Sequence, residues 1–210
     1  MRTERGFDRL VNFSDAVVAI AITLLILPLV ETATEVSGKP IDELLVEDGP
    51  RLLVFVISFA VIGRFWLAHH GMFEKIVDYN RATLWINLLW LLTIVFLPFP
   101  TELIAVSGHD DPTTTALYVG TMAATSLTAV WQQFEFVRHP ELQAEAVRGT
   151  LRMAPSLIMA GMMLVVLVLV VLFPSGGLFW LFVLLLSTPL QIIEKRMHAR
   201  RTAVVPGSEA

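Results

Sequence analysis

The sequence predicts an all-α integral membrane protein with six transmembrane helices and both termini in the cytoplasm. Three observations carry this expectation: 55% apolar against 16% charged residues, six apolar runs, and basic residues concentrated in alternate loops. Six spans of about 20 residues need about 120 positions, which the apolar share can fill. A soluble domain carries about a quarter charged residues and interrupts its apolar runs more often. Composition therefore argues against a soluble enzyme, a secreted disulfide scaffold and a nucleic-acid-binding protein. The chain of 210 residues has no cysteine, which excludes thiol catalysis, thiolate metal sites and disulfides.

The runs fall at roughly 8–30, 52–74, 82–104, 113–136, 150–173 and 176–198, one membrane domain over 1–201 with a short tail at 202–210. The first run is too long for a signal peptide, and no small-residue cleavage site follows it. The fourth run is diluted by Gly120, Thr121, Thr125, Ser126 and Thr128. Small residues of this kind let helices approach closely in a bilayer, so a buried span is the better reading. Pro155 falls in the first turn of the fifth span, where proline is tolerated, and Pro189 is expected to kink the sixth.

Loop charges set the topology. Arg2, Arg5, Arg9, Lys75, Arg81, Arg138, Arg148, Arg152, Lys195, Arg196, Arg200 and Arg201, twelve of the 15 basic residues, flank one side. The other side holds Lys39 and Arg51 against nine acidic residues: Glu31, Glu35, Asp42, Glu43, Glu47, Asp48, Glu102, Asp110 and Asp111. The positive-inside rule places the first side, with both termini, in the cytoplasm. The remaining cation, Arg64, lies inside the second span and must face protein or water, with an ion pair as its simplest explanation.

Residues 9–15 read Arg-Leu-Val-Asn-Phe-Ser-Asp. Ser14-Asp15 could cap a helix, but a helix of the 15 residues Ala16–Val30 spans only about 22 Å, short of a hydrocarbon core of about 30 Å. A start near Asp8 gives about 34 Å and places Asp15 inside the helix, in need of a partner. On a step of about 100° per residue, Ile20, Leu24 and Leu27 form one stripe with Thr23 on its flank. Asp15 lies about 140° away from that stripe. Taken alone, an Ile/Leu stripe in a membrane helix is a core or lipid contact.

The motif Arg9-x-x-x-Phe13-Ser14-Asp15, opening the first of six spans, resembles the signature of the transmembrane protein 175 family of potassium channels. Ser58-Phe59, Ile62, Trp66, His69-His70 and Phe73 in the second span resemble that family's Trp and His pattern. Asn87 and the Leu97-Pro98-Phe99-Pro100-Thr101 segment fit as well. The likeness is clear over roughly residues 9–101; beyond them only the topology matches. No TVGYG, GxGxxG, GxxxxGK or HExxH pattern occurs.

The resemblance implies a potassium-permeable channel, not an enzyme, with no cofactor and a pore lined by first helices. It puts the constriction at Ile20, further layers at Leu24 and Leu27, and a polar neighbour at Thr23. Several copies must meet to enclose a pore. Eukaryotic relatives carry two six-span repeats per chain, so a single motif implies a homotetramer. An apolar ring can gate by dewetting, and potassium sheds water at less cost than sodium, so modest selectivity is expected. The partners implied are potassium ions and the lipid bilayer, without nucleic acid. The single repeat and the absence of a targeting signal fit a prokaryotic plasma membrane. An ion-coupled secondary transporter or a purely structural membrane protein are the competing readings; the transporter is expected to show broken helices and a polar midplane site.

Depth counting supplies partners for Asp15. It sits about 8–10 Å on the cytoplasmic side of its helix centre, and Trp66, His69 and Asn87 fall at similar depth. A cluster of Ser14, Asp15, Trp66, His69 and Asn87 is therefore expected, setting helix register rather than relaying protons. Arg64 could reach the same layer. Arg9 returns to the stripe side near the cytoplasmic mouth, where it opposes cation entry unless neutralised, with Asp8 a candidate. His69 and His70 point about 100° apart and do not chelate a metal together. His109, His139 and His198 read as surface. The acidic loop at 31–50 reads as solvated, with cation concentration at the outer mouth as the alternative.

Overall fold

A computed structural model describes residues 4–35, 48–107, 111–176 and 180. The expected sixth span with Pro189, the basic residues beyond it, the 202–210 tail, His109, His198 and the 36–47 part of the acidic loop lie outside the described residues. Those described are all-α: α1 Glu4–Leu24, α2 Leu27–Glu35, α3 Gly49–Phe73, α4 Arg81–Phe96, α5 Pro98–Ser107, α6 Pro112–Arg138 and α7 Ala154–Leu172. Four stretches among them are long and apolar enough to cross a membrane: Arg5–Glu31, Gly49–Phe73, Arg81–Val106 and Ala154–Leu172.

The first stretch is interrupted. Leu25 and Ile26 donate to Ile22 and Thr23, three residues back. Pro28 has no N–H to give Leu24, and its ring collides with the carbonyl four residues earlier, which ends α1 and forces α2 to restart. The third stretch behaves alike, since α4 gives way to α5 at Leu97, just before Pro98.

Local chemistry sets the other ends. Asn80 caps α4 reciprocally: its Oδ1 accepts from the Thr83 amide at 2.7 Å, and Thr83 Oγ1 accepts from the Asn80 amide at 3.5 Å. Asp111 caps α6 by accepting from the amides of Thr113 and Thr114 at 3.1 and 3.2 Å. Proline occupies the first turn of α3, α6 and α7, where its missing N–H costs nothing.

The helix read as the weakest span is the centre of the packing. α6 lies against α4, α5 and α7, while α1 lies against α3 and α4. Its buried face carries Thr121, Thr125, Ser126 and Thr128, whose hydroxyls donate to the carbonyls of Leu117, Thr121, Met122 and Ala124 one turn back. These back-bonds satisfy the polar groups without solvent. Around this helix, Trp90, Tyr118, Ile62, Ile94 and Val166 are almost wholly buried. Apolar burial gains little inside lipid, so close van der Waals packing supplies the association.

At the end of the bundle where α3 and α6 finish, two loops are stitched together. Val77 donates to the Leu142 carbonyl and Ala144 to the Lys75 carbonyl, both at 2.9 Å. The turn between α3 and α4 and the segment between α6 and α7, whose surroundings carry the basic residues Lys75, Arg81, Arg138, Arg148 and Arg152, thus lie at one end.

Candidate functional site

α1 presents two faces with different fates. Leu10, Ser14, Val18, Ala21 and Leu25 recur every three or four residues and are buried against the bundle. Arg9, Phe13, Ile20, Thr23, Leu24 and Leu27 are all exposed on the chain. Ile20 keeps 59% of its surface, Leu24 39% and Leu27 49%. Thr23 turns its hydroxyl to the Ile20 carbonyl at 2.8 Å. The helical count that aligned Leu27 with Ile20 assumed an unbroken helix. The turn at Leu25–Ile26 interrupts that count, so Leu27 opens α2 instead of closing α1.

The opposite side of α1 is held by polar contacts. Asp15 Oδ1 accepts from the indole Nε1 of Trp66 at 2.8 Å. Asn87 Nδ2 donates to Ser14 Oγ at 2.8 Å, and that hydroxyl donates in turn to the Leu10 carbonyl at 2.9 Å. Asn87 Oδ1 accepts from His69 Nε2 at 2.9 Å. The structure therefore brings Ser14, Asp15, Trp66, His69 and Asn87 into one interhelical layer across α1, α3 and α4. His69 is clamped between Trp90 at 3.9 Å and Phe73 at 4.3 Å between ring centres. His70 faces elsewhere, stacked on Trp66 at 5.2 Å with Nε2 3.4 Å from Glu74.

Arg9, Phe13 and Arg64 do not join this layer. Phe13 is 52% exposed on the stripe side. Arg9 is exposed and forms no ion pair with Asp8 among the described residues, because the adjacent side chains diverge around the helix. The ion pair expected for Arg64 is likewise not found among them. Gln132 was missed: buried on α6, it donates from Nε2 to Asn87 Oδ1 at 3.2 Å and ties the central helix into the layer. The signal was there, since a glutamine inside a span needs a partner.

A second polar layer lies further along the bundle. Thr101 Oγ1 donates to Ser58 Oγ at 3.1 Å, and Ser58 pairs with Tyr118 at 3.1 Å. Beyond the spans, His139 Nδ1 lies 2.8 Å from Glu141, whose carboxyl is held below its ordinary range by its own backbone amide and by that imidazole. Among the described residues no group of three or more His, Cys, Asp or Glu is placed to hold a metal ion.

Residues 9–98, which carry the stripe and most of this layer, match the family described as the endosomal/lysosomal potassium channel TMEM175. A potassium channel of Streptomyces collinus is 34% identical over 150 residues, 68% of this chain and 72% of that protein. The chain belongs to the TMEM175 family. The endosomal/lysosomal proton channel TMEM175 of Homo sapiens is 28% identical over 155 residues, 69% of this chain but 30% of that longer protein. The crystal structure of a lysosomal potassium-selective channel TMEM175 homolog from Chamaesiphon minutus aligns with a TM-score of 0.63 and 29% identity, covering 87% of this chain and 98% of that one. TMEM175 is a family of ion channels, not enzymes, and this member is a multi-pass membrane protein.

Proposed function

We propose that this chain is the subunit of a potassium-permeable, weakly selective cation channel whose first helices meet around a shared axis. In this reading residues 1–201 form one six-span channel domain, spans at roughly 8–30, 52–74, 82–104, 113–136, 150–173 and 176–198, with both termini in the cytoplasm. Four copies assemble in the plasma membrane. Ile20 and Leu24 form the apolar constriction, with Leu27 a further layer beyond the turn and Thr23 beside it.

One observation carries the reading. The side of α1 bearing Ile20 is left open by its own chain, while the other side is locked by Trp66 and Asn87. A register fixed so firmly on one side determines what the other side presents. An apolar ring of this kind filters by dehydration, because methyl groups offer a partly stripped ion nothing in return.

Reconstitution in sealed vesicles tests the function. Passive, electrogenic potassium flux without a coupled ion supports the channel. Saturable exchange dependent on sodium or protons supports a transporter, and no flux supports a structural role. The naming of the human relative as a proton channel supports one second reading, proton conduction. Reversal potentials under opposed potassium and proton gradients separate the two ions.

A further inference from the structure

Arg64 lies inside a membrane span with no acidic partner among the described residues, which raises the question of what neutralises it. α3 runs on to Phe73, so Arg64 sits about 13 Å from that helix end at 1.5 Å per residue. It is exposed, and it lines a half-open cavity of about 490 Å³ bordered by α3, α4, α6, the 147–152 segment and the start of α7. Lys75 and Arg152 line the same cavity near the stitched loops, and no Asp or Glu does so among the described residues. Arg64 and Lys75, like charges facing one space, repel each other unless an anion enters it.

The rest of the wall is graded. Gln133, Thr150 and Ser156 offer amide and hydroxyl groups, whereas Phe65, Trp90 and Met159 are apolar. The first turn of α7 borders the cavity, and Met153 gives it no side-chain cap. That helix end adds to the positive potential already set by Arg64 and Lys75. An inorganic anion could use the charges but not the apolar wall. A phospholipid uses both, its phosphate at Lys75 and its acyl chain along Phe65 and Met159. Arg64, on a long stem, reaches from the span toward the same phosphate.

We infer that this cavity binds the headgroup of an anionic phospholipid from the leaflet that the basic loops face. Basic pockets between spans are suited to such headgroups, and each cation near the surface adds to the attraction. The inference rests on membrane embedding and not on potassium conduction, and it is tested without measuring flux.

The test is native mass spectrometry of the full-length protein released from vesicles of phosphatidylcholine with or without phosphatidylglycerol. The wild type is expected to retain phosphatidylglycerol in preference to phosphatidylcholine. An Arg64→Gln/Lys75→Gln double variant is expected to bind it about 30-fold more weakly, two cations having been removed. An Arg81→Gln/Arg138→Gln double variant, equal in charge change but at exposed residues that do not line the cavity, is expected to bind as the wild type does. Equal loss in both doubles, or displacement of the lipid by inorganic phosphate, overturns the inference. If the cavity variant does not fold, a photoactivatable phosphatidylglycerol on wild-type protein replaces it: label concentrated on 147–159 supports the site, and label spread over all spans contradicts it.

Discussion

Asp15 on α1 and Trp66 on α3, 51 residues apart in the chain, meet through a hydrogen bond of 2.8 Å from the indole nitrogen to the carboxylate. A carboxylate part-buried between membrane helices needs such a donor, and the bond fixes the rotation of α1 against α3. The face bearing Ile20 is oriented by that same rotation. The motif therefore acts at a distance from the Ile20 face it positions.

Trp66→Phe is expected to destabilise the fold by about 1–2 kcal/mol, because Asp15 loses its donor while the stack on His70 is kept. Asp15→Asn retains the accepting oxygen and is expected to cost less. Chemical unfolding in detergent micelles measures both. Equal losses in the two variants contradict the assigned role of the indole.

Asn87 joins Ser14, His69 and Gln132, and so three elements besides its own. Hydrogen bonds between membrane helices average about 0.6 kcal/mol, so Asn87→Ala is expected to cost about 2 kcal/mol. Gln132→Ala in the Asn87→Ala background is expected to cost far less than Gln132→Ala alone, since the shared bond is already gone. Strict additivity contradicts a connected layer.

Asp111 titrates outside the spans. The Thr114 hydroxyl, then the Thr113 amide, hold its carboxyl below the ordinary 3.8. A depressed folded-state value means that the cap's contribution is fully present above about 4 and is lost as pH falls through the lowered value. The amide resonance of Thr114 is expected to titrate with a midpoint below 3.8. Asp111→Asn keeps an accepting oxygen and abolishes the titration. A midpoint at or above 3.8 removes the cap from the account.

Much of this architecture was legible in the residues. The length needed to cross a membrane placed Asp15 inside its helix, and equal depth then selected Trp66, His69 and Asn87 as its layer. Gln132 escaped because depth was matched across the first three spans alone, although the fourth run, with its threonines and serines turned back to their own helix, reads as a buried span. The turn after Leu24 escaped for a different reason: a helical wheel has no place for a missing N–H, and Pro28 acts one turn ahead of itself. The surroundings of Arg64 were beyond the sequence, since its cavity joins segments some 90 residues apart.

The central claim is that the Ile20 face of α1 borders the ion path. Because the chain has no cysteine, Ile20→Cys introduces its sole thiol. The decisive measurement is the potassium current of reconstituted Ile20→Cys before and after a water-soluble thiol reagent. The account predicts that modification blocks the current, while Leu92→Cys on the exposed face of α4 conducts unchanged. A fully modified Ile20→Cys channel that still carries its original current would contradict it.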